Sequence, residues 1–395
     1  MASLGQDIKR HVKHRVKNAL LYVLPARLEA SFRARTNPPH FPRHVFLEPT
    51  TQCNLKCLHC GRTYWKERDQ ARDLDLNLYK KSVDQLKEAG IRYITIQGLG
   101  EPLLHPDLFE MIEYAQDRGI YTRFNTNFTL LSEEAAERLV RCRHSEVMIS
   151  IESIEPELFA DIRRKGDLKT VLGNMRRLAE TKKRLNSDKP VIFVNAVLMK
   201  ATLHLIDDLF REMKDIGVQQ LNFHGLNTDG LPERARLRDG SRMLDNSLAS
   251  LDPEEIEEIT QKILGLSDDD LPVTINGDLG GRGSSHIKTR ATRTCTDLWE
   301  SPYIDSAGRV TPCCWLPDGD LMSLGDLNDS TFEEIWYGDA YETLRKQHVE
   351  NKHPDVCKGC QQLTHTLTCD GHTSTNGEAS DLYEKYFVGK PPVHE

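Results

Sequence analysis

The chain has 395 residues, 38% of them hydrophobic and 28% charged, which is enough for two domains around a large core and ordinary for a globular protein. A formal net charge of −8 argues against general nucleic-acid binding, and no apolar run reaches the length of a membrane-spanning helix. Ten cysteines are too few for a disulfide scaffold at this size. They gather at 53–60 and 295–369 with Cys142 alone between, which reads as metal binding in a reducing cytoplasm.

In residues 1–42, Ile8, Val12, Val16, Leu20 and Val23 recur every three or four positions among Lys9, Arg10, Lys13, Arg15 and Lys17, a pattern that predicts a basic amphipathic helix. Packing across the bottom of a barrel is the preferred role. A membrane-surface or partner contact through residues 8–24 is the alternative. Pro25, Arg27 and Glu29 interrupt the apolar part, so it is not a secretory signal, and Pro38, Pro39 and Pro42 mark a linker.

From residue 43 the chain alternates strand and helix. Strands are expected at 45–48, 93–97, 121–126, 147–151, 192–198 and 220–224, with amphipathic helices near 76–89, 107–118, 133–142, 169–184 and 203–217. Gly90, Gly119 and Gly217 sit where helices should stop. Repeated βα units make a parallel sheet with right-handed crossovers. The predicted fold is therefore α/β, a partial (β/α)6 TIM-like barrel over 43–226, with reactive groups at the C-terminal ends of its strands. Residues 227–290 read as a loop-rich bridge with one helix at 253–264. Residues 291–370 read as a small cysteine-rich domain of β-hairpin and helix, and 371–395 as a tail.

The stretch Cys53-Asn54-Leu55-Lys56-Cys57-Leu58-His59-Cys60 follows the first predicted strand. Three thiolates on one short loop can bind three irons of a [4Fe–4S] cluster and leave the fourth open to a small chelating molecule. A zinc site is the competing use. The C-x3-C-x2-C spacing resembles the signature of the radical S-adenosylmethionine (SAM) superfamily. The resemblance implies that Cys53, Cys57 and Cys60 hold the cluster and that the open iron takes the amino and carboxylate groups of SAM. One electron would then cleave SAM to methionine and a 5′-deoxyadenosyl radical, which removes hydrogen from the substrate.

Further segments extend the resemblance. Gly98-Leu99-Gly100-Glu101-Pro102 is similar to the family's Gly-Gly-Glu motif for the SAM amino group, with Leu99 separating the glycines. Asn125-Thr126-Asn127 is similar to its Thr-Asn-Gly turn, with Phe128 where glycine is usual; a plain Asx-type turn is the alternative. Ser150-Ile151-Glu152 and the segment 162–166 are similar to its Ser-x-Asp and Ile-Arg-Gly segments. They imply Ser150 on a ribose or carboxylate oxygen and Arg163 on the SAM carboxylate, with Arg164 competing for that role. His59 and Asn195 complete the implied SAM contacts, Asn195 through its position on the fifth strand.

In the bridge, Asp278, Arg282 and His286 are candidates for substrate contacts, with a solvated loop as the alternative. A hairpin of 302–304 and 309–312, turning at Ser306-Ala307-Gly308, delivers Cys313, and a helix at 331–345 leads to Cys357-Lys358-Gly359-Cys360. Cys295, Cys313, Cys357 and Cys360 can surround a metal completely, and four thiolates suit structural zinc as well as a cluster. The layout of Cys295, Gly308 and Cys313 resembles the SPASM/twitch extension of radical SAM enzymes, in the shorter twitch form of the scyllo-inosamine dehydrogenase type. It implies one auxiliary [4Fe–4S] cluster, hence two [4Fe–4S] clusters and SAM as cofactors. Cys314, next to Cys313 on a strand, should face away; Cys369 reads as a spare thiol and Cys142 as core.

By that resemblance the chain is a radical SAM oxidoreductase, dehydrogenase-like. It would oxidise a secondary alcohol of a sugar or aminocyclitol, the auxiliary cluster accepting an electron and a reductant such as flavodoxin or ferredoxin supplying the first. A peptide-modifying maturase (crosslinking, epimerisation or residue oxidation) is the second reading. A non-catalytic zinc-binding interaction protein is the third.

Overall fold

The computed structural model describes residues 38, 40–64, 72–142, 145–228, 231–276, 279, 295, 297–350 and 352–357. The expected helix over 8–24, the bridge candidates Asp278, Arg282 and His286, Cys360, Cys369 and the tail lie outside them.

Strands β1 (His44–Leu47), β2 (Lys56–Cys57), β3 (Tyr93–Ile96), β4 (Tyr121–Thr126), β5 (Ser145–Ser150) and β6 (Arg163–Arg164) come first. They are followed by β7 (Val191–Leu198), β8 (Gln220–Gly225), β9 (Val273–Asn276), β10 (Tyr303–Ile304), β11 (Arg309–Thr311) and β12 (Gly325–Asp326). One sheet runs β12-β11-β10-β1-β3-β4-β5-β7-β8-β9, while β2 and β6 form a separate antiparallel ribbon. From β10 through β9 every neighbouring pair is parallel; β11 and β12 turn antiparallel at the edge. This is the expected α/β partial barrel, with the C-terminal hairpin added to its first strand.

The strands place their side chains alternately. Phe124, Val147, Ile149 and Val194 face outward into the main apolar cluster beneath the helices. On the opposite face Asn125 registers against Met148 and Ser150 against Asn195, and Asn195 Nδ2 reaches Met148 Sδ at 3.4 Å. The helices Leu76–Glu88, Leu108–Asp117, Glu133–Arg141, Leu168–Arg184 and Ile206–Ile216 cover the outer face. Asp75, Ser132 and Asp167 cap three of them by accepting first-turn backbone N–H groups. Gly217 ends the last at φ +88°, the left-handed conformation that glycine adopts without cost.

Three expectations need correction. The helix at 331–345 is two helices, Phe332–Trp336 and Asp339–Val349, broken at Gly338. The chain turns so tightly there that a Cβ on Gly338 would lie 2.6 Å from the Glu334 carbonyl oxygen. The bridge contributes strand β9, whose four residues are too few to show a period amid turn-forming neighbours. It is also less loose than its composition suggests: Leu231, Ala235, Leu237 and Met243 bury themselves against Leu58 of the cysteine loop and Ile162. Among the described residues no helix is long and apolar enough to cross a membrane.

Candidate active site

The cysteine loop leaves the C-terminal end of β1 and is fastened from several sides. Cys57 on β2 lies opposite Arg163 on β6. Leu58 N–H donates to Ile162 O at 2.8 Å, and Thr63 Oγ1 and Tyr64 OH donate to the carbonyls of Cys57 and Leu58 at 2.8 and 2.9 Å. Burial pushes the thiols of Cys53, Cys57 and Cys60 up, that of Cys57 to about 12, and each lies near enough to the others to add to the effect or share the same opposing charges. Cys57 is buried and Cys53 and Cys60 are half-buried, and among the described residues the three thiols are not drawn into a metal-holding group. Such surroundings disfavour thiolate unless a cation neutralises it, and a bound metal does so by removing the protons outright. The trio therefore fits an iron–sulfur cluster.

The glycine motif does something the sequence did not reveal. A Cβ on Gly100 would lie 2.2 Å from Thr50 O and 2.6 Å from Gln52 O, and one on Gly98 would strike the Glu48 side chain. The side chain missing at Gly100 makes room for the backbone that leads into the cysteine loop, and the one missing at Gly98 makes room for Glu48. Glu101 N–H donates to Gln52 O at 2.7 Å. The Glu101 carboxylate, 2% exposed, accepts from Thr126 Oγ1 at 2.6 Å, Asn127 N at 2.7 Å and Leu103 N at 3.1 Å. Burial raises its pKa, and those donors and Arg163 only partly oppose the rise.

The turn after β4 grips the same loop. Asn127 Nδ2 donates to Asn54 Oδ1 at 2.9 Å and lies 4.0 Å from Cys53 Sγ, while Asn54 Nδ2 donates to Thr129 Oγ1 at 2.8 Å. Phe128, standing where the family prefers glycine, has φ +58° and is fully buried. A side chain in that conformation costs roughly 1–2 kcal/mol. Removing a buried phenylalanine costs about 3–5 kcal/mol. Phe128→Gly is thus expected to lower stability by a net ~2 kcal/mol in urea unfolding; a stabilised variant would show that strain, not packing, dominates at this turn.

Arg163 is buried and forks onto Glu152, Nη2 donating to Oε1 at 2.6 Å and Nε to Oε2. Glu152 also lies 3.7 Å from His59 Nε2. Burial pulls the His59 imidazole down to about 4, so it is neutral at pH 7. For Glu152 burial pushes the pKa up, but the Arg163 charge and hydrogen bonds outweigh it and the net shift is downward. Arg164 points the other way, is exposed and donates to Arg236 O at 3.0 Å, so Arg163 is the one of the two set beside Cys57. Ser150 and Asn195 are register partners at the ends of β5 and β7, and Asn195 Oδ1 accepts from Asn222 Nδ2 at 3.0 Å. Asn125 Nδ2 donates to Gln97 Oε1.

Sequence reasoning passed over Glu48. It is fully buried at the end of β1; Oε1 accepts from Leu99 N at 3.0 Å and Oε2 from Ser306 N at 3.2 Å. One carboxylate thus joins the glycine segment to the hairpin of the C-terminal domain. The only signal was an acid closing an apolar strand. Glu48→Gln turns an amide N–H₂ toward one of those donors, and leaving one buried donor unpaired costs about 1–3 kcal/mol, readable as a lower melting temperature with fold retained.

In the C-terminal domain, Cys295 and Cys357 share an apolar cluster with Leu298, Trp299 and Leu344. Burial raises the Cys295 thiol, with Asp297 and Cys313 adding to it. Strand β11 ends at Thr311, so strand alternation no longer applies, and the Cys314 thiol is raised by burial and then by Asp297, Cys313 and Cys295. Burial brings Asp297 itself up to about 6.

A parallel partial barrel with a C-x3-C-x2-C loop at the exit of its first strand is the arrangement of a radical SAM domain. Residues 47–200 match the radical SAM superfamily, and residues 295–361 match the SPASM iron–sulfur cluster-binding domain. The chain is a radical SAM enzyme with a C-terminal SPASM domain; the first implies a [4Fe–4S] cluster and SAM, the second further iron–sulfur binding in preference to zinc. It is 24% identical over 350 residues to the AdoMet-dependent heme synthase of Methanosarcina barkeri, covering 83% of this chain and 94% of that one. It is 25% identical over 339 residues to the PqqA peptide cyclase of Ruegeria pomeroyi, covering 82% and 80%. Among solved structures, Streptococcus suis SuiB bound to its precursor peptide SuiA has a TM-score of 0.61 at 17% identity, covering 85% of this chain and 72% of that one; at that identity the likeness is one of fold.

Proposed function

We propose that the chain modifies a residue of a peptide by radical SAM chemistry. The observation that carries this reading is the similarity to a PqqA peptide cyclase over 82% of the chain. Oxidation of a sugar or aminocyclitol alcohol retains only the twitch-like cysteine spacing in its favour. When bound, the cluster and SAM supply a 5′-deoxyadenosyl radical able to take a hydrogen atom from an unactivated carbon. Cys53, Cys57 and Cys60 would hold the first cluster; Cys295, Cys313 and Cys357, with Cys360, would hold an auxiliary one. The protein's own contribution is position and exclusion of water. Glu152 fixes the Arg163 cation beside Cys57, Glu101 and Asn127 hold the loop closed, and the bridge covers it. The polar face carrying Asn125, Ser150 and Asn195 is the proposed nucleoside side. A reducing cytoplasm is the compartment this chemistry needs.

The test is an anaerobic incubation of reconstituted enzyme with SAM, a reductant and either short peptides encoded beside the gene or aminocyclitols. 5′-Deoxyadenosine formed in proportion to a modified peptide supports the reading. Formation in proportion to an oxidised aminocyclitol, with peptides inert, overturns it.

A further inference from the structure

The outer side of the cysteine loop carries a charge arrangement that folding does not explain. In the ribbon of β2 and β6, Lys56 registers directly against Arg164. Like charges facing each other across two strands are destabilising. Their neighbours Cys57 and Arg163 point inward, and Lys56 and Arg164 are exposed. Among the described residues neither is paired with a carboxylate. Arg164 Nη2 instead donates to the carbonyl of another cationic residue, Arg236, whose own Nη1 donates to Gly240 O at 2.8 Å. The Arg234 guanidinium stands 5.8 Å from the Tyr64 ring, and Arg164 and Arg234 both act electrostatically on the Tyr64 hydroxyl. Arg234 and Arg236 alternate with Ala235 and Leu237, whose burial against Leu58 fixes the cations over the loop. Among the described residues the nearby acids also serve other groups: Glu233 and Asp245 hold Arg242, Asp245 feeling Arg236 as well, and Asp161 accepts from Arg238 N. Lys56, Arg164, Arg234 and Arg236 therefore form a positive surface on a chain of net charge −8, one residue from a cluster-holding cysteine.

We propose that this surface is the docking face for an acidic one-electron carrier protein that reduces the cluster of Cys53, Cys57 and Cys60. The proposal rests on the reductive radical SAM reading, not on the identity of the substrate. An acidic carrier meets net repulsion from most of this protein and attraction here, which steers its encounter toward the loop. One electron leaves the carrier and enters the cluster; no bond is made or broken and no proton moves.

The test compares two reductants on the reconstituted holoenzyme without peptide. Cluster reduction is followed by stopped-flow absorbance with photoreduced bacterial flavodoxin, an acidic carrier, and with photoreduced deazariboflavin, small and uncharged. The flavodoxin rate constant should fall about tenfold between about 50 and 300 mM salt, and about tenfold at low salt in the Lys56→Glu/Arg164→Glu variant. The deazariboflavin rate and the iron content should stay within about twofold of the starting protein. Arg234→Glu, remote from the ribbon's backbone pairing, should give a smaller loss of the same kind, and it serves if the double variant does not fold. Unchanged flavodoxin rates in folded variants overturn the proposal. An equal loss with deazariboflavin also overturns it, by showing that the cations only support the cluster. Unchanged reduction with lost binding of polyglutamate would assign the surface to an acidic peptide instead, and equally overturn it.

Discussion

Glu152→Ala is expected to lower the stability of the metal-free protein by about 3–5 kcal/mol, because it leaves a buried guanidinium without its counter-ion. The side chains of Glu152 and Arg163 are 1% and 7% exposed, and the fork between them uses both carboxylate oxygens. Both side chains are shut off from water in the folded chain. Glu152→Gln keeps the shape and one acceptor but loses the charge, so its loss should be smaller. The sign with pH follows from the downward shift of the Glu152 pKa. Its contribution is fully present above the unfolded carboxyl value of about 4.3 and fades as pH falls through the folded value. Urea titrations of both variants at neutral pH check the size, and the gap between parent and Gln variant should close only below about pH 4. Equal stability of the Ala variant would mean that Arg163 finds another partner, and the pair would lose its place as the support of Cys57.

What the sequence disclosed followed from how locally each feature is written. The βα alternation and the thiol trio occupy consecutive residues, so periodicity and spacing expose them. The strand β9 and the break at Gly338 depend on partners far along the chain, and local pattern fails there. The same holds within the site. Cys53, Cys57 and Cys60 were legible from spacing, and Phe128 was legible as a departure. Its consequence, a left-handed φ sustained by burial, required the fold. Glu48 was invisible because its importance lies in joining Leu99 to Ser306, residues 207 positions apart (306 − 99). For Cys314 the local pattern decides nothing, because it lies three residues past the end of β11 (314 − 311), where strand alternation has stopped.

Gly100→Ala is expected to abolish the first cluster, and to do so without acting through SAM. Resemblance alone would assign this glycine to cosubstrate approach and predict weaker SAM binding to an intact cluster. The structure predicts another failure. The added methyl would stand 2.2 and 2.6 Å from the carbonyl oxygens of Thr50 and Gln52, and also 2.8 Å from Thr50 C. These are backbone atoms that cannot rotate aside. Gln52 O is also the acceptor for Glu101 N–H, so relief by displacement breaks that bond and moves the residue before Cys53. Overpacking of this kind costs about 1–3 kcal/mol when side chains yield, and more when backbone must. Iron analysis after anaerobic reconstitution should show about four irons fewer per chain, with the auxiliary cluster retained. The parallel check is the visible absorbance of a chain in which Cys53, Cys57 and Cys60 are all alanine, which Gly100→Ala should match. A Gly100→Ala protein with full iron content and only weakened SAM binding would instead place the room left by this glycine on the cosubstrate side.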